Sequence, residues 1–321
     1  MNYSLIKMNI YILFLLSSLF LLSSKSFFFI WACLEFNLMM FIPLMKTMNN
    51  FMANSMMKYF IIQSISSSLF FLTIILTMLN NINMILVNFL MLSCMWMKMG
   101  LFPFSSWYFQ VTEHMNWNMW FLLNTIQKMA PLYIFSINII NSNIFMAMMF
   151  INSIYASMEI WFQSSFRWLM NSSSMNHFSW MLLSLTSYKS NWEIYFTFYA
   201  LMSFMLIKML IKNNMNTFIN LINNKNYNNN FLMFLTMMNF MGMPPFLGFI
   251  PKLIIINYST SMFIIMLMIL TNIIIMTLYF YFCMPLMNNK FNNKLMDEKT
   301  NLFYFYNILL LLFFYMLLFL Y

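Results

Sequence analysis

Three hundred and twenty-one residues, 63% of them hydrophobic, 21% aromatic and only 7% charged, leave too little polar surface to cover a water-soluble globule. The net charge of +9 comes from fourteen Lys, one Arg and six acids, with no dense basic run to track a phosphate backbone, which excludes nucleic acid as a partner. Apolar blocks such as Ile10 to Leu22 lack the alternation of a membrane β-strand, so helices are the remaining spanning form.

Apolar runs bounded by Asn, Lys, Ser or Pro clusters predict spans near 8–23, 26–45, 59–79, 84–102, 117–140 and 144–163. Five more follow near 174–188, 192–211, 230–257, 261–284 and 302–321, of which 174–188 is the shortest. The expected fold is an all-α polytopic transmembrane helical bundle of about eleven spans, forming a single domain over 1–321. Alternating connections then gather Lys7, Lys46, Lys58, Arg167, Lys212, Lys225, Lys290, Lys294 and Lys299 on one side, against Lys25 and Lys189 on the other. That asymmetry predicts an N-terminus on the positive side and a C-terminus opposite it. Trp107, Trp117, Trp161, Trp168 and Trp192 fall near span ends and are expected to form an interfacial aromatic belt.

Met (42) and Phe (40) are abundant while Gly (3) and Arg are scarce, a bias that suits an AT-rich genome whose code reads extra codons as Met. The first residues lack the Arg- and Ser-rich amphipathic stretch of an import presequence. Both features are those expected of a chain made inside mitochondria. Cys33, Cys94 and Cys283 all fall in apolar segments without CxxC spacing, so neither a disulfide framework nor an iron–sulfur or zinc site is expected. With no nucleotide loop or flavin motif either, this chain is expected to bind no cofactor.

Four ionisable residues fall deep in spans: Glu35 in WACLEFNLMMF, Lys98 in CMWMKMGLFPF, Lys128 in NTIQKMAP and Lys252 in MGMPPFLGFIPKL. A central charge costs about 2.5–3.5 kcal/mol even on insertion scales, so each needs a reason beyond packing. Snorkelling is one such reason for the lysines. The short side chain of Glu35 leaves it either protonated or paired with a lysine across the bundle. Lys98 is followed by Gly100 and Pro103, and Lys252 follows Gly242, Pro244, Pro245, Gly248 and Pro251. Backbone freed by such residues is tolerated at membrane depth only where protein or water surrounds it. The fourth and ninth spans are therefore expected to be discontinuous helices, as in inverted repeats that hold a site at the midplane, although loop ends between shorter helices would leave the same residues. Pro131 marks a third weakening after Lys128, and His177 in MNHFSW is either a satisfied interfacial histidine or a relay.

In order along the chain, WACLEFNLMMFIPL, KYFIIQSISSSLF, KMGLFPFSSWYFQVTEHMNW, QKMAPLYIFS, FRWLMNSSSMNHFSWML and MGMPPFLGFIPK resemble the subunit 2 family of mitochondrial NADH:ubiquinone oxidoreductase, respiratory complex I, in its short animal form. Six motifs in sequence make the resemblance specific over most of the chain. It implies an antiporter-like, proton-translocating membrane-arm subunit, multi-pass in the mitochondrial inner membrane with its N-terminus in the matrix and its C-terminus in the intermembrane space. It maps a charged axis onto Glu35 and Lys98 as an interacting pair, Lys128 as the central relay and Lys252 towards the exit, with His177 assisting. Two departures stand out: Ser105 where the family commonly has a polar His, and MEIWFQSS, with Glu159, in place of a Gly-rich turn.

By this resemblance the enzyme is the whole assembly, an NADH:ubiquinone reductase that translocates protons, with NADH, FMN, iron–sulfur clusters and ubiquinone handled in other subunits. Implied partners are the other membrane-arm subunits, neighbouring antiporter-like subunits among them, and phospholipids such as cardiolipin. Two other readings are a structural, lipid-binding subunit without its own pumping and a stand-alone cation/proton antiporter. The second would need a midplane acidic ion site, for which Glu35 is the only central acid.

Overall fold

The computed structural model describes residues 2–46, 50–79, 84–137, 143–161, 165–186, 192–213, 227–258 and 262–288. The predicted span at 302–321 and most of the two long polar loops lie outside them. Among the described residues every regular element is helical: α1 (Asn2–Ser23), α2 (Phe27–Met45), α3 (Asn50–Met78), α4 (Met84–Met99), α5 (Ser106–Glu113), α6 (Trp117–Asn124), α7 (Ile126–Ile137) and α8 (Asn143–Trp161). Then follow α9 (Phe166–Leu185), α10 (Trp192–Lys212), α11 (Tyr227–Met241), a 3-10 turn (Leu247–Phe249), α12 (Ile250–Tyr258) and α13 (Met262–Asn288). Among the described residues six helices are long and apolar enough to cross a membrane, in α1, α2, α3, α8, α10 and α13. This is the all-helical membrane architecture that the composition dictates, because in lipid each backbone N–H and C=O must be satisfied within its own segment.

Packing divides the chain into two compact units, 1–155 and 156–321. In the first, α2 packs between α1 and α3, α3 lies on α4 and α5, and α7 rests on α1 and α4. In the second, α11 packs against α10 and α13, while α9 contacts α10, α12 and α13.

The short span expected at 174–188 is a full helix, α9, with every residue buried except Arg167 and Trp168. Its Ser and Asn content hid its first two turns, which precede the predicted range. In the fold each hydroxyl turns back to a carbonyl one turn earlier: Ser172 and Ser173 to Leu169 O, both at 2.9 Å, and Ser174 to Asn171 O at 2.7 Å. A helix made self-sufficient in this way can be surrounded by protein on all sides while carrying polar side chains.

Two helices stop in the same manner. Gly100 and Gly242, directly after α4 and α11, adopt φ values of +64° and +73°, a left-handed conformation that glycine enters without penalty. At the first stop Gly100 N–H donates to Met97 O (3.1 Å) and Leu101 N–H to Trp96 O (3.3 Å), the pair of bonds that closes a Schellman motif. At the second, Gly242 N–H donates to Asn239 O at 3.1 Å. Both turns carry the pattern Met-Gly-x-x-Pro-Phe, at 99–104 and 241–246. Gly248 lies in the 3-10 turn, and Pro251 is the second residue of α12, where the first turn accommodates a proline.

Over 117–140 the helix breaks at Thr125 (φ −106°, ψ −81°), ahead of Pro131, which stays inside α7. The tryptophans also depart from the expected belt: Trp107, Trp117 and Trp192 are buried in protein, whereas Trp161 is 62% exposed. Trp107 is drawn inward by the α4 end, where its indole N–H donates to Met97 O at 3.2 Å.

A methyl group at position 242 would lie 2.7 Å from Gly248 O and 2.8 Å from Lys252 Nζ. Gly242→Ala therefore meets a backbone clash on top of a left-handed penalty of about 1–2 kcal/mol. A melting temperature below that of the parent protein in detergent is the expected outcome, and an unchanged one would show that this turn needs no glycine.

Candidate functional site

In the first unit Glu35, Lys98 and Lys128 come from three different helices. Glu35, half-buried on α2, accepts a hydrogen bond from the Ser67 hydroxyl on α3, and its charge acts through space on Lys98. Lys98 occupies the last turn of α4, where the negative end of the helix dipole favours a cation. Its carbonyl accepts from Gln63 Nε2 at 3.3 Å. Lys128 instead sits in the first turn of α7, at the positive end of a helix dipole, and is only 1% exposed. What favours its ammonium is the face of Tyr108, whose ring centroid is 4.0 Å from Nζ. Such an interaction contributes about 2 kcal/mol when desolvated. Tyr108 is held in place by donation from its hydroxyl to Asn124 Oδ1 (2.6 Å), at the end of α6.

Lys98 and Lys128 line one cavity, together with Tyr59, Gln63, Trp107 and Gln127. The space holds about one water molecule, and polar groups converge on it. Gln127 in turn donates to Asn37 Oδ1 at 3.0 Å, which ties the helix carrying Lys128 to the helix carrying Glu35.

In the second unit the end of α11 supplies the acceptors. Its last carbonyls have no partner inside the helix, and two of them are taken by side chains. Lys252 Nζ donates to Met241 O and to Asn272 Oδ1, both at 2.7 Å. His177 Nε2 is 2.8 Å from Phe240 O, while Nδ1 is 2.9 Å from Tyr195 OH. A carbonyl can only accept, so the neutral imidazole carries its proton on Nε2, and Nδ1 accepts from the tyrosine. Asn176, beside His177, donates to Asn272 Oδ1 at 3.3 Å. Lys252 and His177 thus share the end of α11, and Lys252 faces inward with 1% of its surface exposed.

Residues 24–278 match the family described as the transmembrane region of NADH:quinone oxidoreductase and Mrp antiporter subunits. The chain belongs to this family. Within the family, it is 38% identical over 266 residues to NADH-ubiquinone oxidoreductase chain 2 of Anopheles gambiae, covering 79% of this chain and 77% of the relative. Chain 2 of Locusta migratoria is 32% identical, with 71% and 68% covered. A chain of respiratory complex I from Thermus thermophilus shares the fold, with a TM-score of 0.74 at 16% identity over 86% of this chain and 69% of its own length.

Beside the titratable residues of this family member stand neutral ones that the sequence did not single out: Ser67, Gln63, Tyr108, Tyr195 and Asn272. Each is of a common residue type, and only the fold brings it to a charge. Lys208 was also passed over, although it lies within the span of α10. It is exposed, with Nζ 4.1 Å from the Phe204 ring centroid.

Asn272→Leu would remove one of the two acceptors of the buried Lys252, a loss expected to cost about 1–3 kcal/mol. Replacing both partners by apolar groups of similar shape is close to neutral by comparison. A double-mutant cycle with Lys252→Met, followed by thermal unfolding, should therefore show the double variant less destabilised than the sum of the two single variants. Strict additivity would show that the two side chains do not depend on each other.

Proposed function

We propose that this chain is the antiporter-like chain 2 of the complex I membrane arm in the mitochondrial inner membrane, and that it carries protons along its buried Glu/Lys axis. The observation that supports this reading best is the cavity shared by Lys98 and Lys128, with α2, which carries Glu35, tied to α7 by the Gln127–Asn37 hydrogen bond. An opposite charge nearby favours the ammonium form of a lysine. Movement of Glu35 towards Lys98 would load a proton there, and its withdrawal would release that proton across one water to Lys128.

The contrast between the two helix ends makes the step from Lys98 to Lys128 uphill until Glu35 withdraws. Lys98 is assisted by the dipole of α4, whereas Lys128 is opposed by that of α7 and relies on Tyr108. A small change at Tyr108 or Gln127 would then alter whether Lys128 keeps its proton. Lys252 is the onward carrier, and His177 steadies or assists it at the end of α11.

Against a potential of about 150–200 mV each charge moved costs roughly 3.5–4.6 kcal/mol. Burial together with one ion pair reaches that range. The driving energy comes from electron transfer in other subunits, where NADH, FMN, iron–sulfur clusters and ubiquinone react. In this reading the fourth and ninth of about eleven spans are the discontinuous helices of an inverted repeat within one antiporter-like domain. The N-terminus faces the matrix, the C-terminus faces the intermembrane space, and the partners are membrane-arm subunits and phospholipids.

Lys128→Ala in the reconstituted complex, with assembly verified, is expected to lose or slow proton translocation and to slow NADH:ubiquinone turnover with it. Normal pumping at normal turnover would remove Lys128 from the pathway and favour a structural role for the chain.

A further inference from the structure

We infer that Ser67 is the positioning residue of Glu35, with a hydroxyl that reverses its hydrogen bond each time Glu35 gains or loses a proton. The inference rests on the reading above, in which Glu35 changes protonation during turnover. Ser67 is fully buried, and its Oγ lies within hydrogen-bond distance of two acceptors, Glu35 Oε1 on α2 and Ser64 O on its own helix at 2.9 Å. A hydroxyl has one proton to donate and two lone pairs to offer. It cannot serve both acceptors at once.

With Glu35 ionised, the Ser67 proton points to the carboxylate. With Glu35 protonated, the carboxylic acid donates to Ser67 Oγ, and the hydroxyl turns to Ser64 O. No covalent bond to Ser67 is made or broken, and the proton that arrives at Glu35 stays on its carboxyl group. Only a hydroxyl rotation separates the two arrangements, and both keep Ser67 Oγ hydrogen-bonded to Glu35. A buried carboxyl group without such a partner would be penalised in one state or the other.

The surroundings fix the height at which this happens. Trp31 on α2 donates its indole N–H to Ser67 O at 3.1 Å, and its ring packs on Phe71 at 4.6 Å, so α2 is pinned to α3 at that residue. The neighbouring serines are otherwise engaged: Ser66 donates to Gln63 O (2.8 Å) and Ser68 to Ile65 O (2.8 Å). Ser67 is the member of the run whose hydroxyl meets Glu35.

The test uses the intact complex in liposomes. Infrared difference spectra of the parent and Glu35→Gln enzymes identify the carboxyl C=O band of Glu35, and pumping by Glu35→Gln shows whether that residue is needed. Ser67→Ala is expected to move the band to higher wavenumber, because the acid loses its acceptor, and to lower the coupled rate about tenfold. Ser67→Thr, which keeps a hydroxyl, should restore both. An unmoved band and a parental rate in Ser67→Ala, with Glu35→Gln impaired, would overturn the role of Ser67 alone. A Glu35→Gln enzyme that lacks no band and pumps normally would overturn the role of Glu35, and that of Ser67 with it.

Discussion

A charge inside a membrane has to be solvated by something other than water, and for Lys252 the solvent is the C-terminal end of α11 together with Asn272. Carbonyls left without partners where α11 stops at Met241 accept from Lys252 and His177, and the last turn of α4 carries Lys98. Interruption and lysine answer each other. Backbone carbonyls freed at membrane depth need donors, and a buried ammonium group needs acceptors. The glycines at positions 100 and 242 follow from this, since a helix can be closed so abruptly only by a residue at ease with positive φ. Gly242 has a second reason to lack a side chain, because Lys252 Nζ occupies the space a methyl group would take.

The first unit meets the same requirement by other means. Glu35 relies on a serine hydroxyl and Lys128 on an aromatic face, contacts that can be exchanged without moving a helix. Lys252 makes two short hydrogen bonds to fixed acceptors. The groups held by exchangeable contacts and the lysine held by two fixed acceptors thus lie in different units. That division follows from the geometry of their partners and not from the charges themselves.

Much of this was legible in the sequence wherever one residue type carries a strong penalty. Lysine and glutamate within apolar runs, and glycine followed by proline, are conspicuous because few environments tolerate them. They led directly to the buried cluster and to both helix ends. Residues that are unremarkable on their own were not legible. Ser67 is one of several serines in α3, Asn272 lies in an apolar helix without a signal, and the burial of α9 could not be told from a polar loop until its hydroxyls were seen to bond within the helix. Trp107 misled for a related reason. Its place near a span end suggested an interfacial anchor, yet its indole closes the interruption beside Lys98.

The central claim of the proposed function is that Lys98 and Lys252 belong to one proton path, and are not merely tolerated charges. The most direct measurement is the number of protons translocated per NADH oxidised by assembled, reconstituted complex carrying Lys98→Met together with Lys252→Met. Methionine fills the space of the lysine stem while removing the charge. A clearly lowered ratio in an enzyme that still assembles and oxidises NADH is the predicted result. An unchanged ratio would contradict the account and leave the two helix ends as structural features alone.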